Sequence, residues 1–381
     1  MRRQLEAGSE VAVALGMGRS SRLALDIGGS SVLALQASGS GGRLKLRACY
    51  EWPLAEGLVV DGEIADVDLV ARELKAFASQ YGLKGRTVQI AVGNQKVIVR
   101  NIDMPEMTEE ELRGAIEFQA PDYIPIPVDE AVLDFLVLGK RVAPDGAARQ
   151  EVLLVAAQKA MISMFTTALR QAGFKIASID VTSLALVRAL IPNPSFLADP
   201  AEAQVCRGIV DVSSSVSTIV VAVGDAPKFS RTVTFSSDRF GRALADRLAV
   251  PLEDAHALAQ RVGLAGPREP DRDLYTEEIV SATQAALQDT AYELSNEIRR
   301  SLHYYQGQPG AQPISELILS GRGALVRNLD AHLQDTLGIR VSIANPLAHF
   351  AENGSNMTDA ALAFISPCLS TAVGLVLPEE E

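Results

Sequence analysis

Leu23-Ala24-Leu25-Asp26-Ile27-Gly28-Gly29-Ser30-Ser31-Val32-Leu33-Ala34-Leu35 reads as a strand, a tight glycine–serine turn and a returning strand. Leu23, Leu25 and Ile27 alternate with smaller residues, the period-two pattern of a strand, and residues 28–31 interrupt it as a hairpin requires. A second Gly-Ser cluster at 38–42 precedes Leu44, Leu46 and Ala48, so the spacing predicts a three-stranded antiparallel meander. The same outline returns at Gly208-Ile209-Val210-Asp211-Val212-Ser213-Ser214-Ser215. There a first strand enters a turn of small residues, followed by a strand over 218–223, a turn at 224–227 and a third strand over 228–234. Asp26-Ile27-Gly28 and Asp211-Val212-Ser213 therefore hold equivalent places, each ending the first strand of a meander. This internal echo is the most informative feature of the chain.

Outward from the first meander, residues 66–81 show helical spacing (Val67, Val70, Leu74, Phe77), and 87–92 reads as a strand. Residues 95–185 read as a unit of their own. A strand over 97–102 leads to Thr108, whose hydroxyl can cap a helix while Glu111 reaches back, a capping box, and the helix should end near Pro121. Strands at 131–138 and 151–157, a helix over 161–172 and a strand over 175–180 complete the unit. The prolines of 192–203 mark a loop or hinge. Beyond the second meander, helical patterns fill 239–263 and 275–305. A strand (314–319), a turn (320–323), a helix (325–337) and a strand (341–344) follow.

The chain has 381 residues, 48% of them hydrophobic and 22% charged, enough for two or three units with self-sufficient cores. Its net charge of −12 argues against nucleic acid as a partner, because the short basic runs such as Arg299-Arg300 stand beside acids. Cys49, Cys206 and Cys368 are far apart, so neither a disulfide framework nor a zinc site is expected, and a reducing cytosolic setting is. Residues 1–21 read as a flexible leader: Glu6 and Glu10 break any signal-peptide pattern. No segment approaches the uninterrupted apolar length of about 20 residues needed to cross a bilayer.

A short Gly/Ser turn after a buried strand exposes backbone N–H groups and hydroxyls that suit phosphate oxygens. An aspartate at the strand's end can hold Mg²⁺, mostly through water, because that ion favours carboxylate oxygen and stays partly hydrated. Two such hairpins face to face would clamp a nucleotide's phosphates and metal between two lobes. One such turn is a weak sign, since most are plain turns. The pair, followed by a strand–Gly-x-Gly–helix unit, is far more specific.

The arrangement resembles the actin-like ATPase fold, an α/β architecture of two ribonuclease-H-like lobes. In that likeness Asp26, Gly28, Gly29, Ser30 and Ser31 form the first phosphate loop and Asp211, Ser213 and Ser214 the second, while Gly321-Arg322-Gly323 lies in the adenosine-binding turn. Within the superfamily, residues 115–130, and above all Tyr123-Ile124-Pro125-Ile126-Pro127, are similar to a signature of the PilM family of type IV pilus assembly proteins. Glu297-Ile298-Arg299-Arg300-Ser301-Leu302, the stretch 319–325 and Asn345-Pro346 fit as well, and the block around Tyr123 separates the chain from the FtsA family. The resemblance spans about 22–377. It implies a first lobe (22–94), an inserted subdomain of the kind shared with FtsA (95–185), a second lobe (186–345) and a C-terminal segment returning to the first lobe (346–381). It also implies ATP and Mg²⁺ in the cleft, with Asp26 and Asp211 on the metal. The implied partners are the N-terminal tail of a PilN-like bitopic inner-membrane protein and other platform or motor components. The chain would then be cytoplasmic, held peripherally at the membrane through those partners.

Three positions depart from the family pattern: Leu33 stands where a lysine is common, Ser213 replaces a glycine, and Arg322 fills the middle of a glycine turn. Ser213 would crowd a phosphate, or strain the turn by about 1–3 kcal/mol if its backbone is unfavourable. Arg322 would stack on adenine, occlude the base site or point to solvent. Glu297 and Arg300 either contact ribose and base or form a solvated face. No residue is assignable to positioning an attacking water, so an ATP-binding scaffold is expected, at most a slow ATPase. A pseudo-ATPase adaptor is the alternative. A small-molecule kinase would need an acidic base and a substrate pocket, neither of which the sequence displays.

Overall fold

The alternation around Asp26 folds as β1 (Arg22–Ile27), β2 (Ser31–Ser38) and β3 (Leu44–Pro53), running antiparallel to one another. The computed structural model describes residues 21–39, 44–143, 146–192, 200–270 and 273–377; the expected leader and most of the proline-bearing loop at 192–203 lie outside them. A hairpin of β4 (Val59–Val60) and β5 (Glu63–Ile64) leads to α1 (Val67–Gln80) and β6 (Thr87–Val92), which lies parallel to β1. β7 (Val97–Pro105), α2 (Glu109–Tyr123), β8 (Ala131–Val142) and β9 (Ala148–Gln158) then build a separate antiparallel sheet in the order β7-β9-β8. Ile102, Met104, Leu112, Ile116, Leu133 and Leu154 form its core under α2. The Thr108–Glu111 capping box is present, the Glu111 carboxylate accepting from the Thr108 amide at 2.9 Å. α2 ends two residues after Pro121, which is exposed and whose missing N–H removes one intrahelical bond near the helix end.

α3 (Lys159–Gln171) and β10 (Lys175–Val181) correct the expected end of the insert at 185. β10 pairs parallel with β6 at the edge of the first sheet, and Met161, Ile162 and Phe165 of α3 pack with Leu74 and Phe77 of α1. The separate unit is thus 97–158. Alternating apolar residues announce a strand but not the sheet it joins.

α4 (Thr182–Leu190) leads to the second meander, β11 (Cys206–Val212), β12 (Ser217–Val223) and β13 (Ala226–Val233). Next come α5 (Asp238–Leu248) and α6 (Leu252–Arg261), split by Ala249 in the left-handed region (φ 53°) and by Pro251 where one helical run was expected. α7 (Glu277–Gln306), β14 (Glu316–Ser320), α8 (Leu329–Leu337) and β15 (Arg340–Ile343) complete the lobe, and β16 (Phe350–Asn353), α9 (Asp359–Ile365) and α10 (Ser370–Val376) end the described chain. The expected helix from 325 starts late because 322–325 is a tight 3₁₀ turn and Asn328 is left-handed (φ 64°).

The first sheet runs β10-β6-β1-β2-β3-β16 and the second β13-β12-β11-β14-β15. Apart from β16 the two orders coincide: three antiparallel meander strands, then two parallel to the first, the ribonuclease-H-like arrangement twice over in separate sheets. Between the sheets lie two helices. α10 covers the first, where Val373 and Val376 share a core with Ala24 and Leu35, and α4 packs Leu186 and Val187 on Ile209 and Val220 of the second. They cross at Gly374, where a Cβ would fall 1.9 Å from the Ala185 carbonyl oxygen, so only glycine permits the approach. Over its 18 residues, Asp359–Val376 reaches a mean hydropathy of 1.6, enough by composition to cross a bilayer, but 67% of it is buried inside the fold.

The insert has a second footing. Asn101 of β7 donates to the Pro227 carbonyl of β13 at 2.9 Å, and Lys228 reaches Glu151 of β9 at 2.7 Å.

Candidate functional site

β1 and β11 are the equivalent inner strands of the two sheets, so the turns that follow them, and the aspartates that end them, meet across one cleft. Gly28 N–H donates to the Ser31 carbonyl at 2.9 Å and closes the first turn; Ser213 N–H closes the second on Val216 at 3.1 Å. The turns touch. Ser214 Oγ accepts from the amides of Gly29 (2.9 Å) and Ser30 (3.2 Å). Two neighbouring N–H groups thus converge on one oxygen, the geometry of a phosphate-binding nest. The approach is close, since a Cβ on Gly28 would lie 2.8 Å from Ser214 Oγ and one on Gly29 3.1 Å from the Ser214 carbonyl, so either would push the turns apart slightly.

Ser213 carries no strain, because the non-glycine residues with positive φ are Asp61, Ala249 and Asn328 among those described. Its hydroxyl instead donates to Asp211 Oδ2 at 2.5 Å. Asp26, half-buried, and Asp211, buried, line the same cleft cavity. Burial first, and the negative charge of Asp211 second, push the Asp26 carboxyl up to about 7, with Arg322 pulling it back. Burial also raises Asp211, against the hydrogen bond from Ser213. Two carboxylates that resist ionising together are suited to a shared cation. Among the described residues no group of three or more His, Cys, Asp or Glu could hold a metal. A magnesium ion here would therefore rest on these two aspartates, water and phosphate, as its hydration chemistry favours.

The third turn is packed closely on the end of β11. Gly321 (φ 77°) lies against the Val212 backbone, where a Cβ would come within 2.6 Å of its carbonyl oxygen, and one on Gly323 would strike the Val212 side chain at 2.5 Å. Arg322 does not hang free in solvent. Its guanidinium crosses to the first lobe, donating to Ser31 Oγ at 2.7 Å and pairing with Glu51 of β3. Glu297 and Arg300 pair with each other on α7, and neither lines the cleft cavity. Glu51, Cys368 and Thr371 belong to the neighbourhood but were not flagged by sequence; nothing local distinguishes a strand glutamate that meets an arginine 271 positions away.

Asp26, Gly28, Ser31, Asp211, Ser213 and Arg322 line a cavity of about 60 Å³. That is room for a few waters. Ligand pockets for small molecules run to roughly 300–1,000 Å³, so a nucleotide enters only if the lobes part.

Paired sheets of one topology, crossing helices between them and two aspartate-bearing turns in the cleft define an actin-like, two-lobed protein. More narrowly, the chain belongs to a family of pilus proteins: the family described as type IV pilus assembly protein PilM matches residues 24–380. Among solved structures, a chain of the "PilM-PilN type IV pilus biogenesis complex" aligns with a TM-score of 0.76 and 27% identity, over 94% of this chain and 98% of that one. The ethanolamine utilization protein EutJ from Carboxydothermus hydrogenoformans aligns at 0.51 and 12% identity, over 95% of this chain and 90% of its own. MreB 5 of Spiroplasma citri bound to AMPPNP aligns at 0.51 and 14%, over 93% and 94%. These last two likenesses are of fold.

Proposed function

We propose that this protein is a cytoplasmic nucleotide-binding scaffold of the type IV pilus inner-membrane platform, which holds the N-terminal tail of a PilN-like bitopic membrane protein. The observation that carries the reading is the similarity, over nearly the whole of both chains, to a component of the PilM–PilN complex. The insert supplies a surface for such a tail. β8 is the edge of its sheet and leaves backbone groups open for an added strand. On the face away from α2, Val132 packs into the first-lobe core while Leu136, four residues on, is 58% exposed. The wall expected around Tyr123-Ile124-Pro125-Ile126-Pro127 is half turned inward, with Tyr123 and Ile126 packed on the insert's own core. A tail that orders on docking loses conformational entropy, so the isolated peptide should bind in the micromolar range. A fluorescent peptide copying the tail of the PilN-like protein from the same organism tests this. Saturable binding, weakened by Ile126→Asp or Leu136→Asp in variants with native circular dichroism, is the expected result. No binding to folded protein, with or without ATP, defeats it.

The nucleotide half rests on the amide nest and the aspartate pair, which fit a phosphate and a hydrated cation. A pseudo-ATPase adaptor is the second reading, favoured by the Ser214 hydroxyl already seated on the Gly29 and Ser30 amides. Thermal-shift titration with ATP and Mg²⁺ separates the two, because a ligand that binds only the folded chain raises its stability.

A further inference from the structure

We propose that Arg322 is the cation that receives the nucleotide's phosphates, and that Glu51 holds it in reserve while the lobes are closed. This rests on the nucleotide reading above and adds a regulator to that site. Arg322 is the one lysine or arginine among the residues lining the cleft cavity, which otherwise offers a polyphosphate two aspartates. Its position is specific. The guanidinium hangs from the second lobe, yet its 2.7 Å bond ends on Ser31, in the same turn as the amides of Gly29 and Ser30. A phosphate in that turn would find two backbone N–H groups and a forked cation together, the combination that best matches its oxygens.

In the closed form both halves of this site are taken. Ser214 Oγ occupies the amides, and Glu51 and Ser31 occupy the guanidinium. Every one of these bonds joins one lobe to the other. Parting the lobes breaks them all at once, so the amides come free at the moment Arg322 does. A phosphate that enters then replaces Ser214 on the first lobe and Glu51 on the second, and draws the lobes back around itself. Glu51 is therefore a competitor for the ligand's cation, with a side chain 43% exposed and free to swing away once its partner is engaged.

The test compares ATP with adenosine, each with Mg²⁺, on wild type, Arg322→Ala, Arg322→Lys and Glu51→Gln, all checked for native circular dichroism. The readout is the ratio of the two affinities, because loosening the closed form alone raises both alike. Arg322→Ala should lower the ATP-to-adenosine ratio by about 10–100-fold, the size of a lost charge-assisted hydrogen bond to phosphate. Arg322→Lys should recover part of it, and Glu51→Gln should tighten ATP. An unchanged ratio in Arg322→Ala overturns the proposal, and a rise in both affinities there would identify the arginine as a plug instead. If wild type shows no ATP binding, Glu51→Gln must reveal it. Silence in both overturns the proposal while tail-peptide binding, measured on the same samples, judges the scaffold reading separately.

Discussion

Gly374→Ala should loosen the joint between the lobes, and its size follows from the crossing of α4 and α10. The added Cβ would lie 1.9 Å from the Ala185 oxygen, 2.5 Å from its carbonyl carbon and 2.9 Å from its Cα. Ordinary contact begins near 3.4 Å, and the obstacles are backbone atoms that no rotamer change can move. The helices must separate by about 1.5 Å, which disturbs the side chains each lays on its own sheet. Overpacking of this kind costs about 1–3 kcal/mol, and a rigid backbone clash belongs at the upper end. Replacing a helical glycine by alanine returns up to about 1 kcal/mol of propensity. The net loss is therefore about 2 kcal/mol. With an unfolding entropy of about 2.1 cal/mol/K per residue, a chain of this length should melt about 2–3 °C lower. Gly114→Ala is the matched control, since that glycine is exposed in α2 and a Cβ there meets nothing within 4 Å. It should stabilise the insert by up to about 1 kcal/mol. Urea unfolding followed by circular dichroism and by the fluorescence of Trp52, which packs near Phe77 at 6.2 Å in the first lobe, reads both. A Gly374→Ala protein at least as stable as wild type would refute the close crossing.

Asp211→Ala should abolish Mg²⁺-dependent stabilisation by ATP while leaving the fold intact; an unchanged ATP shift would remove Asp211 from the site. Asp26→Asn should alter the pH dependence of stability. With a folded pKa of about 7 against 3.8 for a free aspartate, Asp26 keeps a proton that the unfolded chain releases, so wild-type stability falls as pH rises from about 4 to 7. The asparagine variant escapes that fall and should be more stable by roughly 2–4 kcal/mol at pH 8 but equal below pH 4; parallel denaturation profiles across that range would contradict it. Thr108→Ala should cost about 1 kcal/mol through the lost cap, read by thermal melting, with no change in ATP binding.

Both meanders were legible because short apolar runs are broken by turns rich in glycine and serine, signals that act over a few residues. The aspartate turns were legible for the same reason. α4 and α10 were not. α10 is buried throughout, so no polar face marks a helical period, and Gly374 reads as a helix breaker until the crossing is known, while α4 has only nine residues, too few for a period to stand out. The cleft chemistry was half legible: Ser214 belonged to the right turn, but its bond to an amide 185 positions away depends on how the lobes close. Arg322 shows the same limit, since its partners lie on a different sheet.

The insert grows out of the first lobe yet rests on β13 of the second through Asn101 and Lys228. It therefore works as an outrigger, a strut bearing on both sides of the cleft. Any change in the angle between the lobes must slide or break that bearing, and anything that grips the insert in one position resists the change. Thermodynamic linkage makes the exchange symmetric. Whatever factor a cleft ligand imposes on binding at the insert, an insert ligand imposes on the cleft, with no relay of side chains needed beyond one strand leaning on another.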